Sequence, residues 1–169
     1  QKYAAHVAQT GYPSHLGTLI GQGTLRAGIV GFQDRPLTPS EMEQMKFLLD
    51  DQLNQGALGL SLGLIYPPGS FSPTSELREL ARVVQKHKKI LAVHMRNEGP
   101  NIFQAVEEML SIAEETGVHL HISHLKLMGK AQWGQAPRLL ERIEASRQRG
   151  AVVTCDQYPY TATSTILAA

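Results

Sequence analysis

An α/β protein built on parallel strands is what this sequence predicts, and two observations carry that reading. Short apolar runs rich in β-branched residues alternate with stretches of helical periodicity. The strand-helix-strand order with short connections then implies parallel pairing through right-handed crossovers. About five strands are expected, each followed by a helix or a loop.

The first strand is expected over 15–20, running into the glycine-rich turn Gly21-Gln22-Gly23. A proline-marked loop covers 35–40. Ser40 has the position of an N-cap, with Glu43 three residues on at capping-box spacing. Met42, Met45, Leu48, Leu49 and Leu53 then recur at helical intervals, and Gly56 supplies the stop. The second strand is expected over 57–62, followed by the loop Tyr66-Pro67-Pro68-Gly69.

Thr74 or Ser75 caps the next helix, which carries Leu77, Leu80, Ala81 and Val84 on one face. The third strand is Ile90 to His94. A helix over 101–116 places Ile102, Val106, Met109, Leu110 and Ala113 at core spacing and ends at Gly117. The fourth strand is expected over 118–124. The last helix covers about 135–149, with Pro137 near its first turn, where a missing N–H costs little. The fifth strand, over 151–155, leads to Tyr158-Pro159-Tyr160.

A doubly wound sheet and a (β/α)8 barrel both satisfy this pattern. A complete barrel takes about 250 residues, so five strands in 169 residues make up roughly half to two-thirds of one. An open barrel segment leaves strand edges unpaired. Self-association, partner strands from another chain, or a rearranged edge is the expected remedy.

Composition narrows the function. With 42% hydrophobic and 18% charged residues, the chain can bury a core. A formal net charge of +1 with no basic block argues against a nucleic-acid partner. No apolar run reaches the roughly 18 residues that span a bilayer, and residues 1–11 do not read as a signal peptide. Cys155 is the single cysteine, so no internal disulfide forms and a cytoplasmic setting is expected.

Two histidines end neighbouring predicted strands. His94 closes Ile90-Leu91-Ala92-Val93-His94, and His124 closes the fourth strand. Parallel α/β folds bind ligands at the carboxyl ends of their strands. Strands about 4.8 Å apart let two inward imidazoles share one metal ion. A strand-end histidine bonded to backbone is the competing reading for either residue alone. His119 and His121 have the opposite strand parity to His124 and are expected on the other face. His6, His15 and His87 read as solvated.

The segments Gly56 to Gly69, His94-Met95-Arg96-Asn97-Glu98, Ile122-Ser123-His124-Leu125-Lys126 and Tyr158-Pro159-Tyr160-Thr161-Ala162 stand in order along the chain. With Gly23-Thr24-Leu25-Arg26 near the start, they resemble the N-acyl-D-amino-acid deacylase (D-aminoacylase) family of the metal-dependent amidohydrolases. The resemblance implies a partial (β/α)8 TIM-type barrel, of which this chain is the central part. It also implies zinc, an N-acyl amino acid as small-molecule substrate, and hydrolysis of a linear amide.

By the same resemblance His94 and His124 match two zinc-binding histidines, and Tyr66 matches a tyrosine that polarises the scissile carbonyl. Tyr158 and Ser164 match positions that contact the substrate carboxylate, with Tyr160 a rival to Tyr158. Lys126 and Arg96, beside the ligands, are candidates to complement that carboxylate. Each also reads as a strand-end cation in a salt bridge.

The family's His-x-His pair and metal-binding cysteine belong upstream of this stretch, and its catalytic aspartate belongs downstream. Gln22 stands where relatives often have histidine. Cys155 comes too late to be the ligand cysteine and is expected to be a buried small hydrophobe. Asp156 sits one strand early for the proton-shuttling aspartate, which favours a hydrogen-bonding role. Trp133, in the loop after the fourth strand, is expected to pack. Taken alone, the chain is expected to be inactive. A cyclic-amide amidohydrolase and a non-catalytic relative remain the alternatives.

Overall fold

The computed structural model describes residues 2–11 and 14–166. Among them five strands form one parallel sheet in sequential order: β1 (Leu19–Gly21), β2 (Gly59–Gly63), β3 (Ile90–His94), β4 (His119–Ile122) and β5 (Val153–Cys155). The helices are α1 (Lys2–Thr10), α2 (Gln22–Val30), α3 (Pro39–Asn54), α4 (Thr74–Lys86), α5 (Ile102–Thr116) and α6 (Ala136–Gln148). A doubly wound sheet reverses its strand order at a switch point, whereas this sheet never does. Helices α2 to α6 pack each on the next. Unreversed order with helices along one face is the geometry of a (β/α)8 barrel wall, here five strands wide.

The two faces of the sheet differ in chemistry. Leu60, Leu62, Leu91, Val93, Leu120, Ile122 and Val153 point toward the helices and are buried. They meet Met45, Leu49, Leu77, Leu80, Val106, Met109 and Leu110 from the helices in one core. The opposite face carries small and polar residues. Pairing sets Ser61 beside Ala92, Ala92 beside His121 and His121 beside Thr154. This is the concave side, and its polarity marks it as the ligand side.

Several local expectations are corrected. The cap of α3 is Thr38, not Ser40. Its side chain accepts from the Glu41 N–H, and the Glu41 carboxylate accepts from the Thr38 N–H. Pro39 then occupies the first helical position, where its fixed φ fits. Neither Thr74 nor Ser75 caps α4: Pro73 has that place, and Thr74 Oγ1 donates to Glu108 instead.

The glycine-rich turn is the start of α2, a helix the apolar periodicity did not reveal. Strand β1 keeps only the end of the expected run. Gly117 ends α5 in the left-handed conformation, with φ of 71°. His119 and His121 share a face with His94, because Ile90 pairs with His119 and Ala92 with His121. Strand alternation does not extend to His124, because β4 ends at Ile122. Cys155 is exposed, since β5 is an edge strand. Trp133 is 71% exposed rather than packed.

Candidate metal centre

His94 is the last residue of β3, and pairing with β2 sets it beside Gly63 at the carboxyl rim. His124 lies two residues past β4 with φ of 42°, a conformation L-residues seldom adopt. That turn swings its ring back toward β3. His94 Nδ1 and His124 Nε2 stand 3.0 Å apart, with ring centroids 4.5 Å apart.

A third group completes the cluster. Glu98, only 6% exposed, lies in the loop after β3 and places Oε1 3.1 Å from His124 Nδ1. The Asn97 side chain shapes that loop by accepting the N–H groups of Gly99 and Asn101. Donor atoms of His94, Glu98 and His124 all lie within 4.8 Å of one another.

The cluster fits a divalent cation in its donor chemistry. Two ligands on one tetrahedral zinc stand about 3.3 Å apart when each bond is about 2.0 Å, close to the histidine separation. His94 Nε2 is buried and has no hydrogen-bond partner. Burial holds the His94 pKa below its ordinary value; Glu98 opposes this, and His124 and Lys126 reinforce it. The neutral, metal-ligating form of that ring is therefore favoured.

Around the cluster the expected residues divide. Tyr66, in the loop after β2, lies against His94 with ring centroids 5.0 Å apart. Tyr66 Oη is 2.9 Å from Thr165 Oγ1, and the neighbouring Ser164 is exposed. Lys126 donates to Glu98 Oε1 at 2.6 Å and sits 5.4 Å above the Tyr158 ring. Tyr158 Oη is buried without a partner, whereas Tyr160 is 76% exposed. Of the two tyrosines, Tyr158 is the one beneath Lys126.

Arg96 does not offer a free guanidinium to the rim. Its Nε and Nη2 bond Glu108, and Nη1 and Nη2 bond the carbonyls of Ser70 and Ser72. Glu98 is the member that the sequence reading left without a role. It stood inside a quoted motif four residues beyond His94, and only the loop's reversal brings it back. A cavity of about 730 Å³ opens beside Lys126 and Tyr158, walled by Leu127, Met128, Trp133 and Leu139.

Fold and site together define a segment of a (β/α)8-type barrel wall with a candidate metal cluster at its carboxyl rim. The proteins it is similar to include N-acyl-D-amino-acid deacylases. D-aminoacylase of Alcaligenes xylosoxydans xylosoxydans is 39% identical over 149 residues, which are 88% of this chain and 31% of that protein. A crystal structure of N-acyl-D-glutamate deacylase from Bordetella bronchiseptica, complexed with zinc and a phosphonate mimic of the tetrahedral intermediate, superposes with a TM-score of 0.90. It is 34% identical and covers 94% of this chain and 33% of its own.

L-hydantoinase from Arthrobacter aurescens matches with a TM-score of 0.50 at 15% identity, over 73% of this chain and 31% of its own. That likeness is one of fold alone. No family model matches the chain. The chain spans about a third of the length of the deacylases it resembles.

Proposed function

We propose that this chain carries part of the active site of a zinc-dependent enzyme that hydrolyses the amide bond of N-acyl-D-amino acids. One observation supports it above the others: His94, Glu98 and His124 converge at the carboxyl rim of a barrel wall, on a chain 39% identical to a D-aminoacylase. The far lower identity to the hydantoinase favours a linear amide over a cyclic one. Zinc bound there supplies a Lewis acid for the scissile carbonyl and lowers the pKa of a bound water to about 7.

The chain's own groups have distinct tasks in this reading. His94 and His124 hold the cation through ring nitrogens, and Glu98 Oε1, 3.1 Å from His124 Nδ1, helps to orient that ring. Tyr66 Oη donates to the oxyanion that develops on the carbonyl oxygen. Lys126, Tyr158 and Ser164 receive the substrate carboxylate, which a cation and hydroxyl donors suit. Hydrolysis belongs to the protein that carries the remaining ligands and the proton-transferring aspartate. The chain by itself is inactive on this account.

The test is zinc content and hydrolysis of an N-acyl-D-amino acid by that protein with His94→Ala. The reading expects loss of both. Retention of full zinc and full deacylase activity would remove its basis.

A further inference from the structure

Arg96 stands two residues beyond the candidate ligand His94, yet its side chain turns away from the rim. Four of its contacts run to two other elements. Nε reaches Glu108 Oε2 at 3.0 Å and Nη2 reaches Glu108 Oε1 at 3.1 Å, a two-pronged pair with a carboxylate on α5. Nη1 donates to the Ser70 carbonyl and Nη2 to the Ser72 carbonyl, each at 3.0 Å. Glu108 is itself anchored, since Thr74 Oγ1 donates to it at 2.8 Å.

The two carbonyls belong to the segment that follows Tyr66. Ser70 N–H donates to the Tyr66 carbonyl at 2.9 Å. Arg96 therefore lies two hydrogen bonds from the Tyr66 backbone. The other side of the segment is fixed by a buried set: Gln22 Nε2 donates to Ser72 Oγ at 2.7 Å, and Ser72 Oγ donates to Glu76 at 2.9 Å. At Gly69 a Cβ would fall 2.6 Å from the Gly63 carbonyl, so the loop lies hard against the end of β2. The Arg96 side links the Tyr66 loop to the β3 exit that carries the ligands, beside the Leu64 N–H bond to the His94 carbonyl and the Tyr66–His94 ring contact.

We propose that Arg96, braced by Glu108, is a positioning residue that sets Tyr66 over the metal cluster, and not a ligand of the substrate carboxylate. The proposal rests on the catalytic reading of Tyr66 given above. A guanidinium fork is suited to this because it meets two carbonyls and a carboxylate in one plane, which an ammonium cannot do. Displacing a reacting group by about 1 Å costs on the order of 100-fold in rate.

Arg96→Lys in the protein tests this through two readouts. Amide hydrogen exchange at Ser70 reports the clamp without reference to activity, and at least a tenfold faster exchange is expected. Unchanged Ser70 protection overturns the clamp. Steady-state kinetics on an N-acyl-D-amino acid should show kcat lowered roughly 10- to 100-fold, with KM within about twofold and zinc content unchanged. A raised KM at unchanged kcat would make Arg96 a substrate ligand and overturn the proposal.

The Tyr66→Phe background separates the two readings. If Arg96 acts through Tyr66, adding Arg96→Lys to Tyr66→Phe lowers kcat no further; additive losses count against it. If Tyr66→Phe alone leaves kcat intact, the catalytic reading fails, and Ser70 exchange still decides whether the clamp exists. Should Arg96→Lys not fold, Glu108→Gln weakens the same fork and is read in the same way.

Discussion

The backbone N–H of His124 donates to Asp156 Oδ1 at 2.5 Å, and the other oxygen of that carboxylate lies 2.8 Å from His121 Nε2. A residue at the end of β5 thus holds a left-handed turn at the end of β4. Because φ at His124 is 42°, the turn is strained for a residue with a Cβ. The two hydrogen bonds also keep the Asp156 carboxyl below its ordinary pKa, His121 contributing most and the His124 N–H next. Asp156→Ala should release the turn and misdirect the ring. Zinc affinity is expected to fall roughly 10- to 100-fold, the usual cost of losing a group that orients a ligand. Zinc titration by calorimetry checks this, and an unchanged Kd would deny Asp156 that role.

Glu98 and Lys126 form a pair at 2.6 Å with side chains only 6% and 15% exposed. Removing one partner strands the other. Glu98→Ala is expected to cost about 3 kcal/mol in urea unfolding. Adding Lys126→Met should return a good part of that loss, because the orphaned ammonium is gone. A double variant no more stable than Glu98→Ala would mean that the cost arises elsewhere.

The cap of α3 gives a pH dependence whose sign is fixed. The Glu41 carboxyl is held down from its ordinary value of 4.5 to about 2, first by the Arg35 side chain and then by the Thr38 N–H. A depressed carboxyl stabilises the fold at pH above the unfolded value, and the effect fades as pH falls toward the folded one. Wild type should therefore exceed Glu41→Gln in stability at neutral pH, with the gap closing between pH 4.5 and about 2. Urea midpoints of both proteins across that range provide the check. A gap that widens on acidification would contradict the assignment.

Leu91 lies on the central strand, fully buried against the helices. Leu91→Ala leaves a cavity between strand and helix and should cost about 3 kcal/mol. A loss below about 1 kcal/mol would mean that the core there collapses or is not packed as described.

Much of this architecture was legible because period-2 and period-3.6 patterns are physical consequences of a two-faced wall. Strand β3 lies where its apolar run ends at His94, and α5 lies where Ile102 to Ala113 repeat. Helix α2 was not legible, since Gly23 and Gly28 interrupt its apolar pattern and Gly21-Gln22-Gly23 looks like a turn. The α3 cap was misplaced because Thr38 and Ser40 offer the same spacing to Glu41 and Glu43. Only geometry separates them.

At the site, strand-end position pointed to His94 and His124. Glu98 could not be found by periodicity, because its approach depends on a loop shaped by Asn97. Arg96 was left between a carboxylate-binding and a salt-bridged reading for a related reason. Position in sequence shows that a cation stands near the rim, but not that Glu108, twelve residues further on in α5, already holds it.

Whether His94 and His124 bind one cation is measured directly by cobalt(II) substitution of the protein, since the visible ligand-field bands report the ligand set. Shared coordination predicts that His94→Ala and His124→Ala each alter the same bands and weaken binding. Bands unaffected by both substitutions, with full metal retained, would contradict it.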